Sequence, residues 1–313
     1  MFTYNLKKKK IWVAGHKGMV GRALVKKLLK NDCNVITVDK EELNLSNQID
    51  TRNWIKKNKP DVIYLAAAKV GGIKANMNHK SSFLYENLMI QNNVIKAAND
   101  FDTEKLVFLG SSCIYPKVTK QPMKEEELLN GKLEETNEGY AIAKISVAKY
   151  CQFLSDKGFN YKTIIPCNIY GKYDDFSLAG SHMIPGVIAR IHKAKIKKEN
   201  FVEIWGDGTA RREFMYSEDL ADAIWFCVKN IKQIPKFINV GIGEDFSIKD
   251  YYQAISQIVG FKGEFKFDRT KPVGMKRKLV SSKKINQLGW MPKFSLNKGI
   301  SFTYNYYVKE IQN

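Results

Sequence analysis

The chain has 313 residues, and 51 Lys plus Arg against 32 Asp plus Glu give a formal net charge of +19. Hydrophobic residues make up 44%, enough for a sizeable core, which excludes disorder as the main state and fits about two domains or one large α/β unit with an elaboration. No apolar run approaches the roughly 18 residues of a membrane span, and the basic stretch at residues 7–10 leads into an apolar run too short for a secretory signal before Gly15 breaks it.

Residues 11–13 read as a strand, and residues 19–30 as a helix with Val20, Leu24, Leu28 and Leu29 on one face. A strand follows at 35–38, then a helix with Ser46 as its N-cap, running to residue 58. Strands at 62–65, 106–109 and 162–165 alternate with helices at 81–99 and 139–157. Repeated β-α-β units with short buried strands predict a parallel sheet covered on both faces. The helix at 81–99 carries Phe83, Leu84, Leu88, Met89, Ile90, Val94 and Ile95, broader than one stripe. It is either buried between the sheet and a second subunit or wholly internal. After Cys167 the alternation stops: a loop and helix fill 172–200, a strand 201–205, a turn 206–208, and a late strand at 237–240 returns to the sheet. From there helix and strand mix, with Pro272, Gly274 and Pro292 as breaks.

The charge is spread over helix faces and loops, densest at 7–10, 193–198 and 276–278, and no stretch lies in a nucleic-acid module. It reads as a solvated surface suited to an anionic small molecule, not as a nucleic-acid or membrane partner. The five cysteines are odd in number and scattered, without metal-ligand spacing, so a reduced, metal-free, cytoplasmic protein is expected.

The first strand runs into Gly15-His16-Lys17-Gly18-Met19-Val20-Gly21, a G-x-x-G-x-x-G turn opening a helix. The first glycine makes the tight turn, the second lets a pyrophosphate approach the backbone, and the third allows close helix–strand packing. The helix N-terminus then faces the phosphates. Asp39, after the second strand, favours NAD by bonding a ribose hydroxyl; Lys40 or Lys17 favours NADP by meeting a 2′-phosphate. Residue chemistry leaves both open.

The fourth strand ends in Gly110-Ser111-Ser112-Cys113-Ile114-Tyr115-Pro116, where a parallel sheet binds ligands. Tyr140 and Lys144 open the next helix at i,i+4 on one face. A cationic lysine there is expected to lower the tyrosine pKa, so that Tyr140 passes a proton to a carbonyl oxygen as hydride reaches carbon.

The glycine turn, the strand-four serine and Tyr140/Lys144 together resemble the extended short-chain dehydrogenase/reductase family, which acts largely on nucleotide sugars. Residues 14–21, 66–72, 110–116, 140–144, 181–185 and 212–214 are similar to the group within it that epimerises and reduces GDP-4-keto-6-deoxymannose, and the similarity spans almost the whole chain after residue 10. The resemblance implies an α/β fold: a Rossmann-type doubly wound parallel sheet (1–172 and 214–245) with a smaller mixed α/β C-terminal substrate domain (173–213 and 246–313). It implies a homodimer, a GDP-linked keto sugar as substrate, and NADP(H) as cofactor, with NAD(H) the alternative.

Carried over by the resemblance, Ser111 polarises the C4 carbonyl, Tyr140 donates its proton, and Lys144 holds the nicotinamide ribose. Cys113 and His182 are the base and acid of epimerisation, chemistry made accessible because a C4 ketone acidifies C3 and C5. Gly15 to Gly21, Asp39, Lys40, Ala66, Ala67 and Ala68 join Tyr140, Lys144 and His182 around the cofactor. Ser111, Ser112, Asn168, Trp205, Arg190 and Arg212 take the substrate, the arginines through bidentate contacts to its diphosphate. The chain departs from the group at Pro272-Val273-Gly274-Met275, where a carboxylate is usual, at residues 168–173, and at Val38, where a basic residue is usual. Relatives of this group reduce other GDP-4-keto sugars, so a GDP-4-keto-heptose C4-reductase with little epimerase activity is the alternative. A non-catalytic Rossmann nucleotide-binding protein is the alternative of another class.

Overall fold

The computed structural model describes residues 3–177, 180–271 and 274–312, so Pro272 and the Val273 departure lie outside the described residues. The first half runs β1 (Lys10–Ala14), α1 (Met19–Leu29), β2 (Asn34–Ile36), α2 (Gln48–Asn58), β3 (Val62–Leu65), α3 (Ile73–Asn78), α4 (Lys80–Asp100), β4 (Lys105–Leu109), α5 (Glu138–Asp156) and β5 (Asn160–Pro166). The second half runs β6 (Asn168–Tyr170), α6 (Met183–Ile196), β7 (Phe201–Trp205), β8 (Arg211–Arg212), β9 (Phe214–Tyr216), α7 (Ser217–Lys229), β10 (Phe237–Val240), β11 (Phe246–Ser247), α8 (Ile248–Val259), β12 (Glu264–Asp268), β13 (Arg277–Lys278), α9 (Lys283–Gln287) and α10 (Leu296–Glu310).

Six strands form one parallel sheet in the order β10-β5-β4-β3-β1-β2. Alternate residues of each strand point to opposite faces. Ile11, Val13, Val62, Tyr64 and Val107 therefore pack with Leu24 and Leu28 of α1 and Leu220 and Ile224 of α7. Trp12, Ala14, Ile63, Leu65 and Phe108 pack on the other side with Ile55 of α2, Val94 of α4 and Val147 of α5. The sheet is thus covered on both faces, which is the doubly wound arrangement expected. A separate cluster joins α6, α8 and α10 through Ile188, Tyr251, Ile255 and Ile300. Val280, Ile285 and Trp290, late in the chain, return to the α1/α7 side of the main sheet.

Several local details differ from the sequence reading. Strand β2 ends at Ile36 instead of Val38, because among the described residues its only neighbour is β1, with which pairing stops at Trp12–Ile36. Helix α2 is capped by Asn47, not Ser46: the Asn47 Oδ1 accepts from the Ile49 and Asp50 amides at 3.0 and 3.2 Å. The pairing of β6 with β9, parallel from Asn168–Phe214 to Tyr170–Tyr216, had no sequence signal. On α4, Phe83, Val94 and Ile95 are buried, whereas Leu84, Leu88, Met89 and Ile90 are half-buried, so the helix is not wholly internal to one chain. Among the described residues no helix is long and apolar enough to cross a membrane.

Candidate active site

The glycine turn lies where β1 meets β3, at the point where the strand order reverses. Gly15 has φ +90°, and a Cβ there would stand 2.6 Å from the Ala67 amide nitrogen. A Cβ at Gly21 would stand 2.1 Å from the Gly15 carbonyl oxygen. The outer two glycines are therefore demanded by backbone packing. Gly18 is different: a Cβ there meets nothing nearer than 3.4 Å. It caps α1 without a side-chain hydrogen bond, so the first amides of that helix keep their positive end for an anion. These features fit a dinucleotide pyrophosphate. Ala66, which bonds back to the Ala14 carbonyl at 2.9 Å, and the following Ala67 and Ala68 form the opposite wall.

Asp39 is already engaged. Its carboxylate lies 3.1 Å from His16 Nε2 and 2.6 Å from Lys17 Nζ. The hydrogen bond from Lys17 holds the carboxyl below its usual range. Lys40 beside it is exposed.

Beyond β4 the chain makes a short 3₁₀ turn over Ser112–Ile114, capped by the Ser111 hydroxyl, which accepts from the Cys113 amide at 3.4 Å. Ser112 is buried in this turn, and Tyr115 fastens it to β10 by donating to Asn239 Oδ1 at 2.6 Å. Helix α5 brings Tyr140 and Lys144 to the same place. The Lys144 ammonium sits 5.6 Å from the Tyr140 ring centre and donates to the Leu109 carbonyl at 2.7 Å.

The expected lowering of the tyrosine pKa is not what the structure produces. Burial pushes the Tyr140 phenol well above its ordinary value, with the Cys113 thiolate form adding to this and the Ser111 hydroxyl opposing it. Burial also pulls Lys144 down to about 7. Desolvation of both groups outweighs the i,i+4 attraction, and a lysine drawn down to about 7 gives a phenolate less support than a fully charged one. Cys113 is likewise raised by burial, opposed first by Lys278 and then by Ser111 and Lys144. Tyr140 is thereby held as a proton donor and Cys113 as a thiol.

His182 caps the start of α6, in a loop joined to the residues after β3 by the Gly72 amide, which donates to Gly180 at 3.2 Å. That loop leads back to Tyr140: a Cβ on Gly71 would touch Phe83, whose ring meets Tyr140 edge-on at 6.4 Å. Asn168 donates to the Glu213 carbonyl at 3.0 Å. Arg190 donates to the Tyr252 hydroxyl at 2.9 Å, and Trp205, at the end of β7, is 53% exposed.

Sequence reasoning missed Lys278. It lies opposite Arg212 in the parallel β8–β13 pair, and burial lowers its pKa while Cys113 and Arg212 act on it in opposite directions. Lys278 therefore stands beside Cys113 on one side and Arg212 on the other, with Glu134 as a carboxylate acting on both cations. The only sequence signal was the basic stretch at 276–278, indistinguishable from the rest of a basic surface.

The sequence matches the NAD dependent epimerase/dehydratase family over residues 11–243. It is 46% identical to a GDP-L-fucose synthase of Sinorhizobium fredii, covering 99% of both chains. It is also 46% identical to a GDP-L-colitose synthase of Yersinia pseudotuberculosis, covering 97% of this chain and 99% of that one. Among solved structures, a Campylobacter jejuni GDP-mannoheptose C4 reductase with NADP bound superposes with a TM-score of 0.89 at 36% identity, covering 97% of this chain and 100% of that one.

Proposed function

Since the chain belongs to the NAD dependent epimerase/dehydratase family, we propose that it is an NADPH-dependent enzyme that epimerises C3 and C5 of a GDP-4-keto-6-deoxy sugar and then reduces its C4 ketone. The observation that carries this reading is the meeting of Ser111, Cys113, Tyr140 and Lys144 at the C-terminal end of β4. The names of the two 46%-identical relatives point the same way. Residues 1–172 with 214–245 form the dinucleotide half in this reading, and 173–213 with 246–313 the sugar half.

When bound, the reduced dinucleotide supplies a hydride equivalent to C4. The turn from Gly15 to Gly21 and the walls at Ala66–Ala68 hold it. Lys17, with its charge shared with Asp39, and Lys40 supply positive charge for a 2′-phosphate, and Asp39, paired with His16 and Lys17, is less free to accept from a ribose hydroxyl. Ser111 donates to the ketone oxygen, and Tyr140, kept protonated by burial, gives that oxygen its proton. Cys113 acts before this as the thiolate: it first gives its thiol proton to solvent, with Lys278 and Lys144 supporting the charge, and then takes the proton from the carbon next to the ketone, leaving the enolate. His182 returns a proton to the opposite face. Arg212 and Lys278 receive the diphosphate, and Arg190, Asn168 and Trp205 the rest of the nucleotide sugar.

Solvent exchange tests the epimerase half. In deuterated water the protein should wash label into C3 and C5, and Cys113→Ser should slow this by about 10²–10⁴-fold. Complete cofactor consumption with no label at either carbon would instead favour the second reading, C4 reduction of a GDP-4-keto-heptose, for which the similarity to the C. jejuni reductase speaks.

The half-buried Leu84, Leu88, Met89 and Ile90 on α4, beside Tyr85 at 65% exposure, support a homodimer through this helix. Light scattering should report twice the chain mass of 35.9 kDa, and Leu88→Glu should return it to one. The five cysteines are unpaired and buried, which suits a cytoplasmic enzyme. Its GDP-sugar product would serve as a glycosyl donor for surface polysaccharide.

A further inference from the structure

Resting on the reading above, we infer that Asp174 is the positioning residue of His182: its carboxylate faces the imidazole Nδ1–H and so leaves Nε2 as the nitrogen that exchanges protons with the sugar. The two groups meet as an ion pair, with Nδ1 3.6 Å from Asp174 Oδ1. The Asp174 side chain is only 5% exposed. Its Oδ1 accepts from the Asp175 amide at 2.9 Å, but its Oδ2 is buried without a hydrogen-bond partner, and so is His182 Nδ1. The buried, unsatisfied ring nitrogen thus lies 3.6 Å from a buried carboxylate whose other oxygen is itself unsatisfied. Leaving the nitrogen so is costly, and a small closure onto the carboxylate satisfies it.

The other charged groups nearby do not replace this pairing. Asp175 is a second carboxylate and acts on His182 in the same direction as Asp174, though more weakly. Arg22 of α1 is engaged elsewhere, stacked 4.6 Å from the Tyr173 ring centre and donating to the Lys17 carbonyl at 2.9 Å. Tyr173 has φ +66° and also packs 4.8 Å from Tyr306 of α10. The turn that presents Asp174 is therefore pinned between α10 and the helix that carries the glycine turn. Asp174 first, against the opposing effect of burial, raises the histidine pKa.

A carboxylate at one ring nitrogen fixes the tautomer and stabilises the imidazolium. As acid, His182 breaks its Nε2–H bond while the electron pair of the enolate forms the new C–H bond. The neutral ring keeps its Nδ1 proton toward Asp174, and solvent returns a proton to Nε2.

The chain has four histidines, so selective ¹³C labelling and NMR resolve each titration, with His182→Asn giving the assignment. His182 should titrate above the ordinary value of about 6.5. Asp174→Asn should lower its midpoint and slow deuterium entry at C3 and C5 by about 10- to 100-fold, part of the 10²–10⁴ carried by the acid itself. Asp174→Glu should restore part of both. An unchanged His182 midpoint in Asp174→Asn overturns the pairing. If that variant does not fold, a midpoint at or below about 6.5 in the unaltered protein overturns it. Unchanged deuterium entry in a folded Asp174→Asn overturns the catalytic half of the inference. A lowered midpoint in a protein that never exchanges deuterium upholds the pairing and removes the epimerase reading instead.

Discussion

Tyr140→Phe should lower kcat for C4 reduction by about 10²–10⁴-fold while leaving the melting temperature and the KM for the GDP sugar close to those of the unaltered protein. The phenol is the group on α5 held protonated by burial, and only its hydroxyl is removed. Its ring contact with Phe83 remains, at 6.4 Å between centres in the parent. The loss should therefore fall on the chemical step. Deuterium entry at C3 and C5, assigned to Cys113 and His182, should survive, so the variant separates epimerisation from reduction. Single-turnover consumption of NADPH measures the first effect and NMR of the sugar the second. A variant with unaltered kcat would remove Tyr140 from the reaction and favour a non-catalytic nucleotide-binding protein.

Gly21→Ala should disable both the fold of the glycine turn and its ligand. The added carbon would lie 2.1 Å from the Gly15 carbonyl oxygen and 2.7 Å from the His16 Cα, both backbone, so neither can swing aside. Helix α1 must retreat from β1, against its packing of Leu24 and Leu28 in the core. Overpacking of this kind costs about 1–3 kcal/mol and sometimes more. Moving the helix N-terminus away from the phosphates should weaken dinucleotide binding at least about tenfold, equivalent to 1.4 kcal/mol. Gly18→Ala provides the contrast, because its new carbon meets nothing nearer than 3.4 Å. It should keep the parent melting temperature and still bind the dinucleotide less well. Differential scanning calorimetry and titration with NADPH distinguish the two; equal melting temperatures for both variants would show that the clash at residue 21 relaxes freely.

The sequence by itself determined the elements whose causes are local. The strands at 62–65, 201–205 and 237–240 were legible to the residue, because short apolar runs end at turn-forming neighbours. So were the glycine turn, the serine at the end of β4 and the i,i+4 tyrosine and lysine, since each is a spacing within a few residues. Tertiary structure alone decided what depends on partners far away in the chain. Strand β2 stopped early because it lies at the sheet edge, paired with β1 alone among the described residues, and β6 formed because β9 lay beside it. Lys278 became part of the site through its register with Arg212, and Asp174 through the pinned turn that faces it toward His182. The direction of the Tyr140 pKa belongs with these. Sequence spacing supplies the lysine, but the desolvation that keeps the phenol protonated and draws Lys144 to about 7 comes from everything packed around them. Turn chemistry and periodicity act over one or two turns of chain, whereas burial and charge pairing sum over neighbours that only folding brings together.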